Sequence, residues 1–293
     1  ENQADCLSQL LSFAASPRRR VAASPCRARL CGSPVPMLLS EGLAMIVFIT
    51  FWLLVIITLA LASARRSVFA RTAAEWALDL SGLLVQGALI PALQIILAYG
   101  LMSLIAPAAR GQLAMSPLPA FLLNFVAVDY LYYWNHRLLH TPRFWKTHAV
   151  HHTARQADVF ITSRNTLWTP LLIIYLWANG ALIYSLKDPA PFLLAAALTA
   201  SLDLWRHTLF FVAPGSPLHR AVALLLITPN EHLWHHSSAR ATCNFGANLS
   251  VWDRLHGTFY SPAHRPDNLG IAVRLSLWRR LLFPFAARPE SSP

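Results

Sequence analysis

The stretches "HAVHH" (His148–His152) and "HLWHH" (His232–His236) carry one spacing, H-x-x-H-H, twice in a single chain. Histidine is 12 of 293 residues, so one such pattern arises by chance in roughly one chain in fifty, and a pair far more rarely. On an α-helix, residues i, i+3 and i+4 share a face. Each stretch is therefore expected to aim three imidazoles at one point. A third pattern, "HRLLH", sets His136 and His140 one turn apart, and Asp129, Tyr133, His136 and His140 recur as one stripe. His207 is the ninth of the set. Packing so many like groups together is costly unless something binds them, and neutral imidazole is the commonest metal ligand among side chains. Nine exceed the needs of one ion and match two, with four or five ligands each. Imidazole suits iron, zinc, copper or nickel, so the ligand set alone does not choose the metal.

The rest of the chain places these histidines beside a membrane. It is 55% hydrophobic and only 13% charged, against about 25% charged in an ordinary soluble domain. A bilayer core needs about 20 apolar residues to cross. Gly42–Ala62 supplies them without a charge, and Leu80–Ala106 is a second run, interrupted by Pro91. Leu118–Trp134, Leu167–Leu186 and Pro191–Val212 read as a third, fourth and fifth. With the first span running inward, the short outer segments hold Arg110 and Lys187, while the inner ones hold seventeen Lys and Arg residues. The positive-inside rule then puts every histidine cluster on the cytoplasmic face. The net charge is +11, or +8 without residues 1–36 (19 Lys and Arg against 11 Asp and Glu), and that remaining basic excess suits a surface against anionic headgroups. The arginines are scattered among apolar anchors rather than striped, which argues against nucleic acid.

Other readings fit less well. A zinc peptidase helix carries H-E-x-x-H, but "EHLWHH" puts Leu233 where the glutamate base belongs. A metal transporter needs polar ligands near the bilayer midplane, and only Asp129 and Asp203 lie that deep. His219 and His264 fall outside the clusters and read as interfacial side chains. Residues 1–36 begin at Glu1, carry five arginines and three of the four cysteines (Cys6, Cys26 and Cys31), and show no helical period. They are expected to be a disordered or non-native extension ahead of a start at Met37, with 37–293 forming one domain. The cysteines suggest neither a disulfide framework nor a zinc site. What remains for two histidine-rich metals beside a membrane is oxygen activation.

At this point the sequence resembles the fatty acid hydroxylase and sterol desaturase superfamily of membrane di-iron enzymes. The resemblance covers residues 121–260, through "DYLYYWNHRLLH" (Asp129–His140), "FWKTHAVHH" (Phe144–His152), "TPNEHLWHH" (Thr228–His236) and "NFGANLSVWDRLHGTFY" (Asn244–Tyr260). It implies an all-α integral membrane bundle of four to five transmembrane helices, with a cytosolic helical cap holding a histidine-rich dimetal site. It implies two iron ions, with O2 as co-substrate. Their ligands would be His136, His140, His148, His151, His152, His207, His232, His235 and His236. Asp129, Asn244, Asp253 and His256 would be supporting groups around them. Two departures stand out. Relatives often follow the His207 position with a small residue and Asn, whereas this chain has Thr208 and Leu209. Some place a second histidine four residues away, where this chain has Asp203 and Phe211.

The expected activity is O2-dependent hydroxylation or desaturation of a fatty acyl, sterol or related lipid. The aromatic residues beside the clusters (Tyr130, Tyr132, Trp134, Phe144, Trp145, Phe160, Trp168 and Trp234) are expected either to line the lipid pocket or to anchor the interface. The chain carries no nucleotide, heme or iron–sulfur motif, so an external electron donor is expected: a reductase, ferredoxin or cytochrome. The compact spans suggest a bacterial inner membrane, with the endoplasmic reticulum as the eukaryotic counterpart. Two alternatives remain: a histidine-ligated zinc membrane hydrolase, and a non-catalytic metal-binding membrane protein.

Overall fold

The computed structural model describes residues 35–282. The extension expected at 1–36 lies outside them, apart from its last two residues, which open the first helix. The described residues are helical, with isolated bridges but no strand. Helix α1 is Val35–Ala60 and α2 is Ala62–Phe69. Helix α3 runs over Ala73–Ile105, with a widened π-helical segment at Gly82–Leu89. Helix α4 joins Pro117–Leu122, a second π-helical segment at Leu123–Val128, and Asp129–Leu139. Then come the short α5 (Trp145–His148), α6 (Ile174–Ser185), α7 (Ala190–Arg206), α8 (Pro217–Ala223), α9 (Pro229–His235), α10 (Val251–Leu255) and α11 (Leu277–Leu282).

Two helices are long and apolar enough to cross a membrane, Gly42–Ala60 within α1 and Ala73–Ile105. Their outer faces are apolar and exposed: Phe48, Ile49 and Ile56 on α1, and Leu84, Ile96 and Leu104 on α3. A soluble fold would bury such faces; a bilayer would solvate them.

The fourth and fifth expected spans are shorter helices. The run at 167–186 is helical only over Ile174–Ser185, 12 residues or about 18 Å. Ahead of it, Thr166 Oγ1 accepts from the backbone amides of Trp168 and Thr169, and this local turn precedes a 3₁₀ segment at Thr169–Leu172. The run at 191–212 stops at Arg206, giving 17 residues or about 25 Å. Both fall short of a core of about 30 Å. Helix α6 packs along α3, where a Cβ on Gly180 would come within 2.5 Å of Ala98 Cβ. Backbone bonds from Gly111 to Tyr184 and from Lys187 to Leu113 tie the α6–α7 turn to the α3–α4 loop.

Candidate metal centre

All nine histidines converge, but not as the helical spacing suggests. One group holds His136, His140, His148, His152 and His235, and the other holds His151, His207, His232 and His236. Within each group the candidate ligand atoms lie within 4.8 Å of one another. The H-x-x-H-H stretches therefore do not each aim at one point. The first gives its i and i+4 rings (His148, His152) to the five-membered group and its i+3 ring (His151) to the other. The second does the reverse, keeping His232 and His236 in the four-membered group and sending His235 across. The i+3 ring crosses in both.

Local structure explains how each ring is delivered. Helix α4 carries His136, with His140 at its C-terminal cap. Residues 145–153 break into one helical turn and a 3₁₀ turn, so His151 and His152 diverge. His207 caps the end of α7. Helix α9 starts as its sequence indicates, with Thr228 as cap, Pro229 in the first turn and Glu231 closing a capping box, a device worth about 1 kcal/mol. Glu231 also takes Nε2–H of His219 at 2.7 Å, while His219 Nδ1 accepts from Gly215 N. His219 is thus buried at the α9 start, not interfacial as its isolation in the sequence suggested. His264 is exposed.

Four rings are fixed by backbone carbonyls. The Nδ1–H groups donate from His136 to Phe245 O (2.9 Å), His151 to Arg164 O (3.0 Å), His207 to Asp203 O (2.7 Å) and His235 to Cys243 O (2.7 Å). A carbonyl only accepts, so each of these neutral imidazoles presents a bare Nε2 inward. His151 Nε2 and His207 Nε2 then face each other at 3.3 Å with no proton to share. His235 Nε2, His140 Nε2 and both ring nitrogens of His152 are buried without a partner. Burying so many lone pairs costs about 1–3 kcal/mol for each group left unsatisfied. A cation in each group would satisfy them, and the donor set fits metal ions for that reason. Burial is also the main cause that lowers the imidazole pKa values, for His151, His207 and His235 to about 3. The rings are therefore held neutral, the form that binds metal.

The four supporting residues foreseen in the sequence hydrogen-bond to backbone and to other side chains rather than to these rings. Asp253 accepts from Phe245 N and Gly246 N at 2.7 and 2.8 Å, so it acts one step removed, by fixing the loop whose carbonyl holds His136. Asn244, in the same loop and at positive φ (54°), donates to the carbonyls of Glu231 on α9 and Tyr260 beyond α10. Asp129 accepts from Asn248 N, Leu249 N and Trp252 Nε1. His256 belongs to neither group; it stacks on Tyr133 at 5.1 Å and meets the Tyr130 hydroxyl at 3.2 Å.

The sequence reading missed Arg164. Its carbonyl holds His151, and its side chain, 1% exposed, makes a two-bond pair with Asp79 on α3. Arg71 bridges Asp79 and Asp158 beside it. Gly82 lets α3 approach, because a Cβ there would collide with the Ser163 carbonyl. The C-terminal segment closes the other side: Gly270 N donates to His236 O and Ile271 N to His152 O.

A cavity of about 360 Å³ runs from the helices to the rings of His136, His148, His151 and His207, drawing on both groups. Val47, Ile95, Val128 and Leu176 line its apolar part. Of the eight aromatic residues singled out above, Tyr132 and none of the others lines it. Trp134 and Trp168 stand exposed.

Comparison with known proteins places this architecture. The fatty acid hydroxylase family model matches residues 121–258. Ornithine lipid hydroxylase OlsE of Rhizobium tropici is 36% identical over 156 residues, which is 52% of this chain and 44% of that protein. Alkylglycerol monooxygenase of Homo sapiens is 28% identical over 138 residues (46% and 29%), and that of Danio rerio 30% over 141 residues (47% and 30%). The matches thus span less than half the length of each relative. No solved structure matches. Residues 121–258, a little under half of the chain, are thus similar to the fatty acid hydroxylase family, and it is on this region that the resemblance to the fatty acid hydroxylase and sterol desaturase superfamily rests.

Proposed function

We propose that the protein is a membrane-bound oxygenase whose nine clustered histidines hold two iron ions and which hydroxylates or desaturates a lipid. One observation carries this reading: bare imidazole nitrogens face one another within each of two groups, and rings of both groups lie at the inner end of a cavity walled by apolar helices. Two irons bound there supply activation of O2 for oxidation of an unactivated C–H bond. The chain's own part is positioning. The four carbonyl-held rings fix tautomer and direction before any metal arrives, which spares reorganisation. The cavity wall holds the lipid and keeps bulk water from the centre. Helices α1, α3 and α4 are the spans, and α6 and α7 form a shorter hairpin entering the bilayer between them, with the centre on the cytoplasmic side. The names of the relatives, an ornithine lipid hydroxylase and two alkylglycerol monooxygenases, support a polar lipid as substrate. Electrons come from a separate donor.

The test is metal content by mass spectrometry on protein purified gently in detergent, beside a His151→Ala, His235→Ala double variant. Close to two irons per chain, falling to about one or fewer in the variant, together with O2-dependent lipid oxidation that the variant loses, is the expected result. Two zincs and turnover without O2 would replace the reading with a hydrolase. Absence of any metal after iron loading of folded protein would overturn it.

A further inference from the structure

The polar wall of the cavity bears on which part of a lipid would meet the centre. Asn135 is spent on the backbone at Leu172 and Ile174, and Thr199 accepts from Asn248. Asn124 and Asn179 bond each other at 3.2 Å. Arg206 is held at both ends of its fork, Nη1 by the Ala247 carbonyl and Nη2 by Asp203 Oδ1, while its Nε is buried without a partner. Asp203 differs. Its side chain is 37% exposed while that of Arg206 is 2% exposed, and it lines the cavity. Oδ1 holds Arg206, and Oδ2 takes no hydrogen bond among the described residues. The Tyr175 hydroxyl, on the same cavity, likewise has no partner among them, and its ring packs on Tyr132 at 5.2 Å.

Asp203 sits one turn before His207, with Oδ1 3.4 Å from the Nδ1 of that ring. A group bound at the free oxygen is therefore one imidazole away from the clustered nitrogens. We propose that Asp203, with Tyr175, forms a subsite for a hydrogen-bond donor on the lipid, an amine or a hydroxyl, so that the carbon oxidised lies near the polar end and not far along the chain. The subsite selects against lipids that enter by a carboxylate or phosphate, because the Asp203 carboxylate repels them and the charge of Arg206 is already paired with it. This inference rests on the oxygenase reading for the word "oxidised", but the binding preference stands on the cavity alone.

Four dodecanoyl amides test it: those of 1,3-diaminopropane (ammonium), 3-aminopropanol (hydroxyl), propylamine (methyl) and β-alanine (carboxylate). Binding to the full chain in nanodiscs of neutral lipid is measured for wild type, Asp203→Asn, Asp203→Glu and Tyr175→Phe. Wild type should bind the ammonium probe about tenfold more tightly than the methyl probe, the hydroxyl probe in between, and the carboxylate probe most weakly. Asp203→Asn should erase the ammonium advantage, Asp203→Glu should keep it, and Tyr175→Phe should weaken the hydroxyl probe most. Equal binding of all four probes by wild type would overturn the proposal without any variant, as would an undiminished ammonium preference in Asp203→Asn. Metal content is read on the same samples. Intact discrimination in protein that takes up no iron would support the subsite and remove the oxygenase reading.

Discussion

The two H-x-x-H-H stretches share a spacing but are built and held differently. Residues 232–236 lie on α9, a regular turn with a full cap. Residues 148–152 run through a break between a helical and a 3₁₀ turn. Yet both send the i+3 ring to the opposite group, and in both that ring donates to a carbonyl. The rings that stay, His148, His152, His232 and His236, have an unpartnered Nδ1. Crossing, then, is tied to an outside carbonyl rather than to helix geometry. The two carbonyls differ in what steadies them. Cys243 lies in a loop fastened by Asn244 and Asp253, inside the family-matched region. Arg164 is fastened by Asp79, which lies before it.

Acid is the strongest perturbation and treats both stretches alike. In metal-free protein, His151, His207 and His235 have folded pKa values near 3, against about 6.5 unfolded. Between those values the unfolded chain binds more protons, so their stabilisation is complete above about pH 6.5 and is lost as pH falls toward 3. At pH 5 the loss is on the order of 2 kcal/mol for each. A melting temperature flat above pH 7 and dropping steeply below 6 is the expected profile; a flat profile down to pH 4 would contradict the burial argument.

Single substitutions should separate the stretches. His151→Ala leaves three rings in its group, whereas His235→Ala leaves four in the other. On mild chelation His151→Ala should fall to about one metal per chain, and His235→Ala should stay nearer two. Asp79→Asn comes next. It disrupts a buried pair and costs about 3 kcal/mol of stability, and it loosens the carbonyl that holds His151. Metal affinity in the four-membered group should drop about tenfold or more, with the other group untouched, as competition with a chelator would register. Asp253→Asn should have the smallest effect, about 1.5–3 kcal/mol from weakened charge-assisted bonds. Its loss of metal should fall on the five-membered group. If Asp79→Asn and Asp253→Asn weaken the same metal, the division of support between the stretches is wrong.

Much of the centre was legible because side-chain chemistry is written in letters. Nine clustered histidines mark it, and Thr228–Pro229 marks the start of α9. The partition was not legible, because neighbours such as His151 and His152 part company at a backbone break that no residue type announces. Nor were the carbonyls at 164, 203, 243 and 245, since every residue has one. The apolar runs gave α1 and α3 correctly but overran α6 and α7, whose ends are set by a threonine turn and by Arg206 turning inward. Arg71, Arg164 and Arg206 were counted as surface charge for the topology. All three are buried, so hydropathy and charge counts alone could not tell an ion-pair partner from a headgroup contact.

The backbone bonds from Gly270 and Ile271 to His236 and His152 also set an order of events. A chain emerging from the ribosome presents Asp79 early and all nine histidines well before residue 270. Until residues 270 and 271 have followed, the two stretches lack the strap that joins them. Their final geometry therefore waits for that segment of the chain.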